Sequence, residues 1–133
     1  MDYFEFEDLK GQIIRGVEGR RGSHQIVITT DTLKIKMYHR QHCCENVRVE
    51  DIVGDWQDII GSPVIFASES SNKKNTSEWV GSSTWTFYNI STIHGSVTIR
   101  WLGTSNGYYS ERVDIEAEEL DPDDSFDEYA EDI

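Results

Sequence analysis

Apolar and polar residues alternate most cleanly in Leu33-Lys-Ile-Lys-Met-Tyr-His39, with Leu33, Ile35, Met37 and His39 on one face and Lys34, Lys36 and Tyr38 on the other. A period of two marks a half-buried strand, so His39 is expected to point inward. The apolar run at 25–30 precedes it across Asp31-Thr32, which predicts a hairpin. Ile13, Ile14 and Val17 predict a first strand within 11–19, and Gly19-Arg-Arg-Gly22 marks the turn after it. Residues 64–67 read as another strand. The strongest β signal lies at 84–90, 96–101 and 108–115, rich in Trp, Tyr, Phe, Val and Ile. Their connections, 91–95 and 103–107, have hairpin-loop length and carry glycines, which predicts an antiparallel meander.

Two stretches break this pattern. Val49, Ile52, Val53, Trp56, Ile59 and Ile60 recur at intervals of three and four among acids, which predicts short helical pieces at 45–61, interrupted at Gly54 and stopped by Gly61-Ser-Pro63. Residues 68–83 are polar, with only Trp79 and Val80 as anchors, and read as an exposed loop. The expected fold is a mainly β domain of residues 1–115, a compact antiparallel sheet in the form of an open barrel or sandwich with a short helical insert. Residues 116–133 are expected to be a tail, disordered when free, because Leu120, Phe126, Tyr129 and Ile133 offer too little apolar surface to offset ordering.

Charge sharpens that division. The net charge of −13 is concentrated in residues 114–133, which hold 11 acids and no Lys or Arg, leaving 14 acids against 12 bases in residues 1–113. No basic cluster exceeds Arg20-Arg21 or Lys73-Lys74, so direct nucleic-acid binding, which needs Lys and Arg against phosphates, is not expected. The acidic start, Met1-Asp-Tyr-Phe-Glu-Phe-Glu-Asp, lacks the features of a signal peptide, and no apolar run approaches a membrane span. A cytosolic protein is expected, with no membrane association. In that compartment Cys43 and Cys44 are expected to be thiols, one of them packed in the core.

Two blocks carry a family resemblance. They are His39-x-Gln41-x-Cys43-Cys44-Glu45-x-Val47 continuing into Glu50-Asp51-Ile52-x-Gly54-Asp55-Trp56-x-Asp58-Ile59-Ile60-Gly61-Ser62-Pro63, and Thr84-Trp-Thr-Phe-Tyr88 with Arg100-Trp-x-Gly-x-Ser-Asn-Gly-Tyr-Tyr-Ser110. In these the chain resembles a family of small uncharacterised proteins encoded by tailed bacteriophages and prophages, whose pattern carries Asp where His42 stands here. The resemblance implies a phage gene product in the cytoplasm of a bacterial host. It implies no mechanism and no site.

His39, His42, Cys43 and Cys44 form the one soft-ligand cluster, an alternative metal site. Adjacent cysteines without a second pair are poor spacing for zinc, so no metal and no cofactor are expected. A thiolate nucleophile at Cys43 or Cys44 is disfavoured by the acids around it and by the lack of an orienting third group. Glu50, Asp51, Asp55 and Asp58 read as a solvated helix face. Arg100 and Tyr108 are candidates for an exposed binding surface, with Trp101 in the core. The acids Asp114, Glu116, Glu118, Glu119, Asp121, Asp123, Asp124, Asp127 and Glu128 form a field that steers cationic partners. The expected function is therefore that of a non-enzymatic phage inhibitor. It would occupy a basic surface on a host protein, such as a CRISPR or other nucleic-acid-binding effector. The alternative is a small-ligand or metal-binding protein, conceivably hydrolytic, using residues 39–45.

Overall fold

A computed structural model describes residues 4–75 and 81–120. Its eight strands are β1 (Ile14–Glu18), β2 (Gln25–Thr30), β3 (Leu33–Tyr38), β4 (Asn46–Val53), β5 (Phe66–Asn75), β6 (Ser82–Thr92), β7 (Gly95–Ser105) and β8 (Asp114–Glu119), with 3-10 turns at Phe6–Leu9 and Trp56–Asp58. They form two antiparallel sheets of four, in the orders β1-β2-β3-β8 and β4-β7-β6-β5. The expected mainly β fold is the fold of the chain.

The β2–β3 hairpin closes on Thr30, whose Oγ1 accepts the N–H groups of Leu33 at 2.9 Å and Thr32 at 3.2 Å. Ile26 and Ile28 then face the same side as Ile35 and Met37, and all four are fully buried. Against them the second sheet sets Val49, Tyr88, Ile90, Val97, Ile99 and Trp101, so both inner faces share one core, with Phe6 and Leu9 of the first turn inserted into it. Each such side chain contributes about 1.5–3 kcal/mol through burial. No helix among the described residues is long and apolar enough to cross a membrane.

Three expectations need correction. The predicted helix at 45–61 is strand β4 followed by one 3-10 turn. A register shift between Val49 and Asp51 inserts an extra residue, so Val49 and Ile52 both face the core although three apart. A bulge thus imitates helical spacing. Gly54 then turns the chain at φ +111°, where an added Cβ would meet the Ser96 carbonyl oxygen at 2.4 Å. Glu50 pairs with Arg48 and Asp51 with Arg100, while Asp55 caps the 3-10 turn through the Gln57 N–H, so these carboxylates lie on no helix face.

The expected loop at 68–83 is largely strand. β5 pairs with β6 over ten residues, and its polarity reflects an exposed edge position, not irregular backbone. Trp79 and Val80 lie outside the described residues. The third expected strand of the meander is displaced as well. β6 and β7 form the anticipated hairpin, but residues 108–113 are not strand. The chain leaves that sheet to pair as β8 with β3 in the other, Lys36 opposite Glu116 and Lys34 opposite Glu118. The expected boundary at 115/116 therefore falls inside a strand, and of the tail only residues 121–133 lie outside the described residues.

Candidate functional site

Where β3 ends, the chain turns around one buried carboxylate. Glu45 accepts the N–H groups of His42 and Cys43, each at 2.9 Å, and His39 Nε2 at 2.8 Å. The other nitrogen of His39, Nδ1, lies 2.8 Å from the Arg112 carbonyl oxygen. The side chains of His39 and Glu45 are 3% and 0% exposed, as the inward reading of His39 anticipated. Gln41 completes the turn by donating to the Glu45 carbonyl at 2.6 Å and to the Cys43 carbonyl at 3.1 Å. Burial pushes the Glu45 carboxyl up, but the hydrogen bonds from His39 and the main chain outweigh it and hold the group at about 2.

Cys43 and Cys44 are joined to each other as a disulfide, and both are exposed, so they are neither thiols nor core residues. The turn spends its polar contacts on Glu45 and leaves the two sulfurs on its outer side. With those sulfurs bonded together and both nitrogens of His39 engaged, His39, His42, Cys43 and Cys44 do not converge as ligands. Among the described residues no group of three or more His, Cys, Asp or Glu is placed to hold a metal ion.

A second buried carboxylate fastens the departure of the chain from β7. Glu111 accepts from the hydroxyls of Ser82, Thr84 and Ser105, and Ser105 Oγ also takes the Gly107 N–H at 3.0 Å. Burial raises its pKa, the hydroxyls lower it further, and the balance lies below the ordinary value. Gly103 allows this crossing, since a Cβ there would stand 2.6 Å from the Glu111 carbonyl oxygen. Gly103→Ala should therefore cost about 1–3 kcal/mol of stability, the range for overpacking, read as a lower urea midpoint. An unchanged midpoint would contradict this packing.

Arg100 is braced by its own sheet. Its guanidinium lies 3.2 Å from Asp51 and 5.1 Å and 5.9 Å from the rings of Trp85 and Phe87, so the side chain is 37% exposed but held in place by its neighbours. Tyr108 is 88% exposed, as expected, and Trp101 is fully buried.

A cleft of about 780 Å³ is lined by the start of β8 and the N-terminal segment. Its lining includes Asp114, Ile115 and Glu116 of β8, Phe4 to Glu7, Glu69 of β5, and Tyr38, His39, Arg40 and His42. Carboxylates outnumber guanidiniums in its lining. Arg112 donates to Asp114 at 3.2 Å, Arg40 lies 3.7 Å from Glu116, and the Tyr38 hydroxyl donates to Glu116. Tyr88 donates to Glu69 at 2.9 Å, and burial followed by the charge of Glu69 raises its pKa, which keeps the phenol neutral. Of the expected partner-binding acids, Asp114 and Glu116 line the cleft, while Glu118 and Glu119 are exposed further along β8. Asp121, Asp123, Asp124, Asp127 and Glu128 lie outside the described residues. Reading the sequence alone missed the cleft, Glu45 and Glu111. The one available signal was position: Glu45 lies within the first motif block and Glu111 directly follows the second.

No curated protein and no solved structure matches the chain. A family model described as a domain of unknown function, DUF7448, matches residues 7–115, most of the described fold, and the chain belongs to that family.

Proposed function

We propose that the protein is a non-enzymatic binding protein that engages a basic surface of a partner through β8 and the cleft beside it. The observation that carries the reading is the exposed run of Glu116, Glu118 and Glu119 on an ordered strand next to a carboxylate-rich cleft. Fixed on a strand, these charges present a directed field, and the acids of residues 121–133 add to it. The buried carboxylates Glu45 and Glu111 spend their oxygens on internal hydrogen bonds, which favours binding over acid–base chemistry. The resemblance to phage-encoded proteins supplies the setting: a bacterial host cytoplasm, with a CRISPR or other nucleic-acid-binding effector as the class of partner inhibited.

The test is capture from host lysate on the immobilised full-length protein at low salt. Basic nucleic-acid-binding proteins should be retained, competed off by duplex DNA, and lost when Glu116, Glu118 and Glu119 are all changed to Gln. For a purified partner, association should slow by roughly tenfold or more between low and physiological salt, as steered encounters do. Retention indifferent to DNA, to salt and to the triple substitution would refute the reading.

A further inference from the structure

Among the described residues the two sheets expose four edge strands, and three of them are guarded against added strands. β1 and β4 each carry a register irregularity, and β5 carries Lys73-Lys74. Bulges and lysines are the devices by which sheets avoid edge-to-edge pairing. β8 has neither. Its pairing with β3 is regular over six residues, and carboxylates alone guard its open side.

The direction of its main chain follows from the register. The Leu120 N–H donates to the Thr32 carbonyl at 2.9 Å, so Leu120 and Thr32 form a hydrogen-bonded pair. Such pairs alternate along an antiparallel ladder, which turns Glu118, Glu116 and Asp114 toward β3. The N–H and C=O groups of Ile115, Ala117 and Glu119 therefore face the open edge. Ile115 also lines the cleft, as does Phe4. On the outer face Glu116 and Glu118 stand two residues apart, the repeat at which a neighbouring strand would place side chains. An acidic strand, including a second copy of β8, would be repelled. A basic one would be paired.

We propose that β8 receives an extended partner segment alternating basic and apolar residues, added antiparallel as a fifth strand to the sheet β1-β2-β3-β8. Basic side chains would meet Glu116 and Glu118, and apolar ones would enter the cleft beside Ile115 and Phe4. This rests on the binding reading above and names its mode, β-strand addition, in which main-chain bonds supply affinity and alternate side chains supply specificity.

The probe is a short, end-capped peptide alternating Lys and Val, added to the full-length protein. Bound antiparallel with Val inward, its Val N–H groups would bond β8 and its Lys N–H groups would face solvent. N-methylation at the Val positions should therefore weaken binding by about tenfold or more, one to two main-chain hydrogen bonds, whereas N-methylation at the Lys positions should be tolerated. Amide exchange at Ile115, Ala117 and Glu119 should slow on binding, with little change at Glu116 and Glu118. Ala117→Pro, which removes one outward N–H and no bond to β3, should weaken binding in the same way. If both methylated peptides bind like the parent, strand addition is overturned while charge-led binding stands. If the parent peptide fails to bind at low salt, both readings fall.

Discussion

Replacing Glu45 with Ala should lower the melting temperature by roughly 10 °C or more, because removing a buried acceptor leaves its donors unsatisfied. Two main-chain N–H groups and the Nε2 of His39 would lose their common acceptor inside the protein. The Glu45→Gln variant keeps the shape and one acceptor oxygen, and should fall between Ala and the wild type. It also isolates the pH dependence. The folded carboxyl titrates at about 2, below its ordinary value of 4.5. A depressed carboxylate contributes stability that is complete above the unfolded value and is lost as pH falls through the folded one. Between pH 4.5 and 2 the wild type should therefore lose stability more steeply than Glu45→Gln. Parallel acid limbs for the two proteins, measured by urea unfolding at each pH, would show that Glu45 does not organise the turn.

The second large effect is expected at Trp101, fully buried on the inner face of β7 between Thr86 and Val49. Trp101→Ala should cost about 3–5 kcal/mol, the lost transfer energy plus the cavity left between the sheets. Its indole Nε1 has no hydrogen-bond partner among the described residues. Trp101→Phe removes that unsatisfied donor along with part of the volume, so its cost should be clearly smaller than that of Ala. Equal urea midpoints for the two variants would mean that ring volume does not hold the sheets together there.

These two residues also mark how far local pattern reaches. Trp101, Ile35 and His39 were placed correctly because side-chain direction along a strand depends on period alone, and a period of two needs no knowledge of the partner strand. The hairpins β2–β3 and β6–β7 were legible for the same reason, each joining adjacent segments through a two-residue turn. Where a bulge at Val49 to Asp51 altered the period, the same reasoning returned a helix. Where an edge strand buried little, as in β5, it returned a loop.

Alternation, turn residues and segregated charge, all properties of neighbouring residues, determined that the chain is mainly β, which side chains form its core and where its acids lie. Tertiary structure alone decided the rest, because each remaining feature joins segments far apart in sequence. Glu45 becomes a buried carboxylate only because β8 brings the Arg112 carbonyl to His39, 73 residues away, fixing the ring that bonds it. Glu116 and Glu118 become a strand edge, and not part of a tail, only because Lys36 and Lys34 lie opposite them. Residues 116–119 bury too little to order themselves. The unpaired hydrogen-bonding edge of β3 orders them, and no local pattern reports that edge.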